Sequence, residues 1–578
     1  MAGPEGDRLI YVDMTNQTVS IEEFPEEWKL LGGRGLSAKI LTKDCDPTCD
    51  PLGPDNVLVL APGVMSGTTA PTSGRISVGC KSPLTGGIKE ANAGGNPGQH
   101  LMKLGFRAII VKGAPADDNK RYGLEVDADG ARLKEADEYK GLWNYACCEK
   151  LLANYSKNAS AISIGPAGEL KLGGASVACT DQNQERRPAR HAARGGVGAV
   201  MGSKGLKWVA IEPGKAKVRA AADSKGFNAL NKKYSKDYLD GPQMFKTGTS
   251  SVVPVANMLN TFPYKNRTEG QSPDAANLDG ARIVESFETR GGEMHNCMTG
   301  CIVSCSNIVH DADGNYKTSA LEFETLTLLG ANCAVDSWEK VAELDRLCDE
   351  VGLDTIETGA AIAILMDSGG MEWGDAEGAA ALIKEIADGT ELGNAIGNGA
   401  VATGKHRKHA RVPHGHGQAI PAWDPRPLKA TGITYAAGPM GADHTAGLIV
   451  NPGLVDPTEQ AQASQEAQLV NAVCDSSGFC QFLQPSLDDI RTYYGLMYGE
   501  EISREQIADQ GWEVLQDEWA FNTAAGWKDE ENGLSDCLVN EGIGPDHAMK
   551  FDVSLETINL SKQRFEPRDE LYAMKASG

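Results

Sequence analysis

Lys207-Trp-Val-Ala-Ile211 is the last run in this 578-residue chain that reads as a strong β-strand. Before it stand short runs bounded by Gly, Pro or charge: Arg8-Leu-Ile-Tyr-Val-Asp13, Asn56-Val-Leu-Val-Leu-Ala61 and Arg107-Ala-Ile-Ile-Val-Lys112. Glycine-dense turns separate them, as in Gly32-Gly-Arg-Gly35, Thr85-Gly-Gly87 and Ala93-Gly-Gly-Asn96. From about residue 215 the spacing changes. Glu339–Glu350, Ala360–Met366 and Thr458–Asn471 place apolar residues at helical intervals. Between the last two lies a His- and Pro-rich stretch, Lys405–Pro427, that reads as a loop or boundary. The pattern predicts an α+β fold: a β-rich domain over 1–212, then mainly helical domains over 213–410 and 411–578. No internal repeat is visible.

The formal net charge of −24 excludes a nucleic-acid-binding surface and fits a protein that receives a basic partner. No stretch is apolar enough to span a bilayer, so no membrane partner is expected. Met1–Asp7 lacks a basic and an apolar region, so no signal peptide is predicted and the cytoplasm is expected. On such a chain 14 cysteines predict thiols or metal ligands rather than disulfides.

Three of those cysteines are close: Cys297, Cys301 and Cys305, in His295-Asn-Cys-Met-Thr-Gly-Cys-Ile-Val-Ser-Cys-Ser306. A fourth, Cys480, follows far downstream in Asp475-Ser-Ser-Gly-Phe-Cys-Gln481. A trio plus a remote thiolate suits a four-iron, four-sulfur cluster. Zinc, which more often takes two close pairs, and inert buried thiols are the competing readings. The segment holding Cys480 has a counterpart, Asp349-Glu-Val-Gly-Leu-Asp-Thr355. Each reads Asp, two residues, Gly, an apolar residue, then Asp354 or Cys480. Singly they are two helix ends with glycine caps. As a pair they suggest matched loops on a two-fold ligand, because a carboxylate can accept hydrogen bonds from a heterocycle such as a pterin.

Ala193-Arg-Gly-Gly-Val-Gly-Ala-Val-Met-Gly-Ser-Lys204 is glycine-rich and basic, which suits an anion, although it is not a Walker loop. Arg75 and Asn92 stand in similar turns. Glu324 and His444 are titratable groups that could exchange protons with a substrate.

Together these residues, with Pro71-Thr-Ser-Gly-Arg75 and Ile420-Pro-Ala-Trp-Asp-Pro-Arg426, resemble the tungsten-containing aldehyde:ferredoxin oxidoreductase family from about residue 8 to about residue 500. The resemblance implies a β-rich base that binds tungsten bis-pterin (tungstopterin), with magnesium bridging the pterin phosphates. It implies that Arg75, Asn92, Arg190 and Arg194 serve the phosphates and magnesium, with Gly195 and Asp354 also at the cofactor. Asp349 and Asp475 would bind the pterins, and Cys297, Cys301, Cys305 and Cys480 a 4Fe-4S cluster. Glu324 and His444 would be the catalytic pair, and Glu343 and His414 an interface-metal pair. The implied substrate is an aldehyde or carboxylic acid. The implied partner is ferredoxin or a ferredoxin-like electron-transfer subunit, in a homodimer or hetero-oligomer. A related reductive task, such as reduction of an aromatic thioester, and a non-catalytic scaffold are the alternatives. In the family the trio is usually Cys-x-x-Cys-x-x-x-Cys; here the first gap is one residue longer. Ala446 stands where many members have a basic residue, and His416 lies beside His414.

Overall fold

The computed structural model describes residues 6–183 and 185–577. Residues 1–5, on which the signal-peptide expectation largely rests, lie outside the described residues. Two six-stranded sheets occupy the N-terminal part. The first contains β1 (Arg8–Asp13), β2 (Thr18–Glu23), β3 (Leu58–Pro62), β4 (Ile76–Lys81), β5 (Ile88–Ala93) and β6 (Phe106–Lys112). Its order is β2-β1-β6-β3-β4-β5. The second contains β7 (Tyr122–Asp127), β8 (Gly130–Glu135), β9 (Ser160–Ser163), β10 (Val177–Cys179), β11 (Arg190–Ala192) and β12 (Leu206–Ile211). Its order is β8-β7-β12-β9-β10-β11, so the second sheet repeats the first strand for strand. In each, the first and last strands of the chain order pair in parallel and the other pairs are antiparallel. The absence of a visible repeat in the sequence therefore hides a duplicated topology. Strand pairing needs only the right alternation of faces, which many sequences satisfy.

That alternation builds four layers, helix, sheet, sheet and helix, around three cores. Ile10, Val12, Leu58 and Leu60 of the first sheet meet Leu124, Ile162, Val209 and Ile211 of the second in one shared core. The opposite face of the first sheet, with Val59 and Ile110, covers Leu36, Ile40 and Leu41 of helix α1 (Gly33–Asp44). Trp208 and Ala210 on the second sheet cover Cys148 and Leu151 of α2 (Asn144–Leu152). Each sheet thus carries a helix on its outer face.

The rest of the chain is mainly helical, with a two-stranded sheet of His414–Gly415 and Gln418–Ala419 and a larger interruption that the sequence does not show. Strands β13 (Gly292–His295), β14 (Ser306–His310) and β15 (Tyr316–Ser319) form an antiparallel sheet. They are short, and β13, Gly-Glu-Met-His, has no β-branched residue. The longest helical readings hold: α3 (Trp338–Val351), α4 (Thr355–Asp367) and α5 (Pro457–Ser477) contain them, and α6 (Arg504–Ala524) follows. Ser337, Asp354, Asp456 and Ser503 cap their N-termini through side-chain oxygens. Arg34 of α1 makes a two-point ion pair with Glu518 of α6 at 2.8 and 2.7 Å, joining the N-terminal part to the C-terminal helices.

Lys405–Pro427 is largely irregular, as expected, but its second half is buried rather than peripheral. Asp424 accepts hydrogen bonds from Arg426 Nε and Nη2 at 2.9 and 2.8 Å and from Arg267 Nη1 at 3.1 Å. Burial opposes its ionisation, yet the two guanidiniums hold the carboxyl down to about 2. Asp424→Asn leaves both buried guanidiniums without their counter-charge. It should cost about 3–5 kcal/mol, read as a lower unfolding midpoint. The folded value lies below the unfolded one of about 3.9. The contribution is therefore complete above that pH and is lost as pH falls through about 2. An unchanged midpoint would refute this account of the network.

Candidate active site

Edge strands β5 and β11 lie side by side where the two sheets meet. A cavity of about 780 Å³ is lined by Asn92 of β5 and Arg190 of β11, and by residues of both Asp-x-x-Gly loops. Helix α3 ends at Gly352 and α5 at Gly478, with φ of 81° and 86°, in the left-handed region that glycine enters without steric cost. The Gly352 carbonyl accepts from Ser176 N at 2.9 Å, and that of Gly478 from Arg75 N at 3.2 Å. Ser176 and Arg75 occupy the same place in the two sheets, immediately before β10 and β4. The turns after β9 and β3 hold Gly165 and Gly63. A Cβ there would come within 2.3 Å of Val351 O and 2.1 Å of Gly478 Cα. Each half of the duplicated base thus receives one loop in the same way.

The loops differ in what holds their acids. Asp349 Oδ1 lies 3.1 Å from His191 Nε2, and Oδ2 accepts from the Tyr145 hydroxyl at 3.3 Å. Asp475 Oδ1 accepts from Gln481 Nε2 at 3.0 Å, and Oδ2 lies 3.8 Å from Arg34 Nη1. Burial and the Glu90 carboxylate push Asp475 well above the usual carboxylate range, against the pull of Arg34 and Arg75. Five residues on, Asp354 caps α4 and accepts from Arg194 Nε at 3.3 Å. The matching position is Cys480. All four side chains line the cavity.

So do Arg75, Asn92, Arg190 and Arg194. Arg75 Nε donates to Asn92 Oδ1, and its Nη2 to Asn92 O at 3.2 Å. Arg194 donates to the carbonyls of Ala442 and Ala419, both at 2.7 Å. Arg190 Nε donates to Asp181 at 2.9 Å, but its buried Nη2 has no partner among the described residues. Gly195 is not a lining residue. Its φ of 77° turns the chain past Lys89, whose Cγ a Cβ there would meet at 2.4 Å.

Cys297 and Cys301 lie between β13 and β14, and Cys305 directly precedes β14. One residue joins this loop to Cys480. Thr72 N donates to Gly300 O at 2.9 Å, and its Oγ1 accepts from Ile302 N at 3.0 Å. Its carbonyl accepts from Cys480 N at 2.9 Å. The Thr72 backbone is left-handed, with φ of 56°, and the residue is fully buried. Contact with Cys301, together with Arg190 and Arg75, lowers the Cys297 thiol to about 6. The same contact pushes Cys301 up, and burial pushes Cys305 and Cys480 up. Among the described residues no three His, Cys, Asp or Glu side chains are grouped to hold a single metal ion.

Glu324 and His444 come from segments 120 positions apart and face each other in the cavity, Oε1 to Nε2 at 3.7 Å. Glu324 Oε2 accepts from Ala422 N at 2.6 Å. Glu324 Oε1 and His444 Nδ1 are buried without hydrogen-bond partners among the described residues. Asp443 fixes the turn that carries His444: it accepts from Thr445 N at 3.2 Å and is ion-paired to buried Lys89 of β5. Burial opposes ionisation of Asp443, but Lys89, Arg194 and His444 hold it well below the usual range.

Glu343 and His414 lie elsewhere. Glu343 pairs with Lys317, and His414 lines a separate groove with Lys405 and His409. Neither joins a metal-holding group among the described residues. The sequence reading missed Thr72, His191, Tyr145, Glu322 and Asp345. Asp345, buried, and Glu322, half-buried, are carboxylic acids on the cavity wall, both pushed up by desolvation. Asp345 could have been found one helical turn before Asp349.

One acid from each loop on the cavity wall, a buried guanidinium nitrogen of Arg190 without a partner among the described residues, and two glycine turns fit a large anionic heterocyclic cofactor. The family model for the aldehyde ferredoxin oxidoreductase N-terminal domain matches residues 9–213, and that for its domains 2 and 3 matches residues 225–559. This chain belongs to the aldehyde ferredoxin oxidoreductase family. The second match continues past residue 500, beyond the resemblance visible in the motifs. The tungsten-containing aldehyde ferredoxin oxidoreductase of Pyrococcus furiosus is 31% identical over 555 residues, covering 90% of this chain and 89% of that protein. The aliphatic sulfonate oxidoreductase WOR-like subunit of the same organism is 27% identical over 545 residues, covering 86% and 83%. The BamBC active-site complex of benzoyl coenzyme A reductase shares the fold, with a TM-score of 0.78 and 18% identity over 98% of this chain and 92% of that one. As a member of that family this chain is an oxidoreductase. No helix among the described residues is long and apolar enough to cross a membrane.

Proposed function

We propose that this family member interconverts aldehydes and carboxylic acids, with net oxidation RCHO + H2O → RCOOH + 2 H⁺ + 2 e⁻. The observation that carries this is the Glu324–His444 pair, facing across 3.7 Å with an unpartnered buried atom on each residue. Glu324, fixed through Oε2 by the Ala422 amide, takes a proton at Oε1 from water or the aldehyde hydrate. His444, anchored by the Asp443 turn, donates from Nε2 to the carbonyl oxygen. Phe323 and Trp423, with ring centroids 5.1 Å apart, line the same cavity as Glu324. Asp349 and Asp475 bind one pterin each, with Asp354 beside the first. Arg75, Arg190, Arg194 and the Gly195 turn serve the phosphates and, with Asn92, magnesium. When bound, tungstopterin supplies a two-electron redox centre. Cys297, Cys301, Cys305 and Cys480 would hold a 4Fe-4S cluster that passes electrons singly to ferredoxin or a ferredoxin-like subunit. Glu343 and His414 would meet a metal only across a subunit contact.

The test is elemental analysis joined to aldehyde-dependent dye reduction. Tungsten near one per chain with aldehyde-dependent turnover is expected. Tungsten without aldehyde turnover, but with reduction of an aromatic thioester, would replace this reading with the related reductive one. Asp349→Ala and Asp475→Ala should each lower tungsten content, because a buried heterocycle would lose a charge-assisted partner of about 1.5–3 kcal/mol. Full tungsten content in both variants would remove the paired loops from cofactor binding.

A further inference from the structure

Away from the cavity, the C-terminal end of α1 runs into the turn Cys45-Asp-Pro-Thr-Cys49, closed by Cys49 N donating to Asp46 O at 3.0 Å. The sulfurs of Cys45 and Cys49 lie 3.9 Å apart, and both residues are free thiols. Two buried lysines with no carboxylate partner among the described residues surround them. Lys81 Nζ donates to the carbonyls of Pro47 and Cys49 at 2.5 and 2.7 Å. Lys204 Nζ donates to the carbonyls of Gly53 and Pro54 at 2.9 and 3.1 Å. Nothing in the proposed chemistry uses these four side chains. Cys45 is buried and Cys49 half-buried, so only the second can be reached from solvent.

We propose that Cys45 and Cys49 form a thiol–disulfide exchange site that closes reversibly when a low-molecular-weight disulfide reaches Cys49. The direction follows from access and charge. Burial pushes the Cys45 thiol up to about 12, which leaves it protonated and a poor first nucleophile. Burial also raises Cys49, but the contact with Cys45 and the charge of Lys81 work against that rise. The Cys49 thiolate attacks the reagent R–S–S–R, giving Cys49–S–S–R and releasing RS⁻. Cys45 then attacks the Cys49 sulfur, the Cys45–S–S–Cys49 bond forms, and the second R–S leaves, taking the Cys45 proton as R–SH. The two thiols lose two electrons in all and the reagent gains them. The sulfurs must close from 3.9 Å to a bond of about 2.05 Å, a movement the ends of two side chains in one turn can supply. The bridge ties the end of α1 to the turn that follows it. At its other end α1 carries Arg34, which reaches Glu518 and Asp475.

The experiment uses the anaerobic holoenzyme, oxidised glutathione as reagent, N-ethylmaleimide quenching in denaturant, and tryptic mapping. Cys45 and Cys49 are the only cysteines between the cleavage sites at Lys43 and Arg75, so one peptide reports both. Its mass should fall by two hydrogens, it should carry no maleimide, and dithiothreitol should restore two labelled thiols. Cys49→Ser should leave Cys45 fully labelled with no glutathione adduct. Two maleimides on the wild-type peptide after exposure would overturn the proposal. So would a stable glutathione adduct that does not close. The wild-type measurement decides the matter even if the variant fails to fold.

Discussion

Glu324→Gln is expected to reduce aldehyde turnover by about 10²–10⁴-fold while leaving tungsten and iron content unchanged. The amide keeps the side-chain volume, and its oxygen can still accept the Ala422 hydrogen bond of 2.6 Å, so the loop should hold. What it loses is a proton acceptor at Oε1, the atom that faces His444. A loss of positioning alone would raise KM. Loss of the base should lower kcat and kcat/KM together. Normal aldehyde oxidation in this variant, with metals in place, would remove Glu324 from the mechanism.

Cys480→Ala is expected to abolish the low-temperature paramagnetic signal of a reduced 4Fe-4S cluster and to lower bound iron. The other three proposed ligands, Cys297, Cys301 and Cys305, lie on one loop and can cover only one side of a cube. Cys480 is buried at 7% exposure, which leaves little room for a water or buffer thiol to take its place. Its backbone stays fixed by Thr72 O in the variant, so a lost signal would reflect the missing sulfur rather than a displaced loop. An unchanged signal would exclude Cys480 as a ligand, and zinc with no iron in the parent protein would exclude the cluster altogether.

Much of this was written locally in the chain. The β-branched runs ending at Ile211 and the helical spacing after it are short-range patterns, and the β-rich part followed by helices reflects them. The two Asp-x-x-Gly segments are legible because a helix ending in a left-handed glycine is a local event, seen at Gly352 and Gly478. What the sequence could not show depends on pairing and burial. The second sheet repeats the first although their residues do not, because a strand must match its neighbours in face and register rather than in identity. Glu324 and His444 become a pair only because Asp443 is tied through Lys89 to β5. Thr72 reads as an ordinary turn residue until its amide, hydroxyl and carbonyl are seen joining two cysteine segments about 180 positions apart. Each of these contacts depends on chain segments distant in sequence meeting in a buried place, where unpaired polar groups are costly. Tertiary packing alone decides which partner satisfies them.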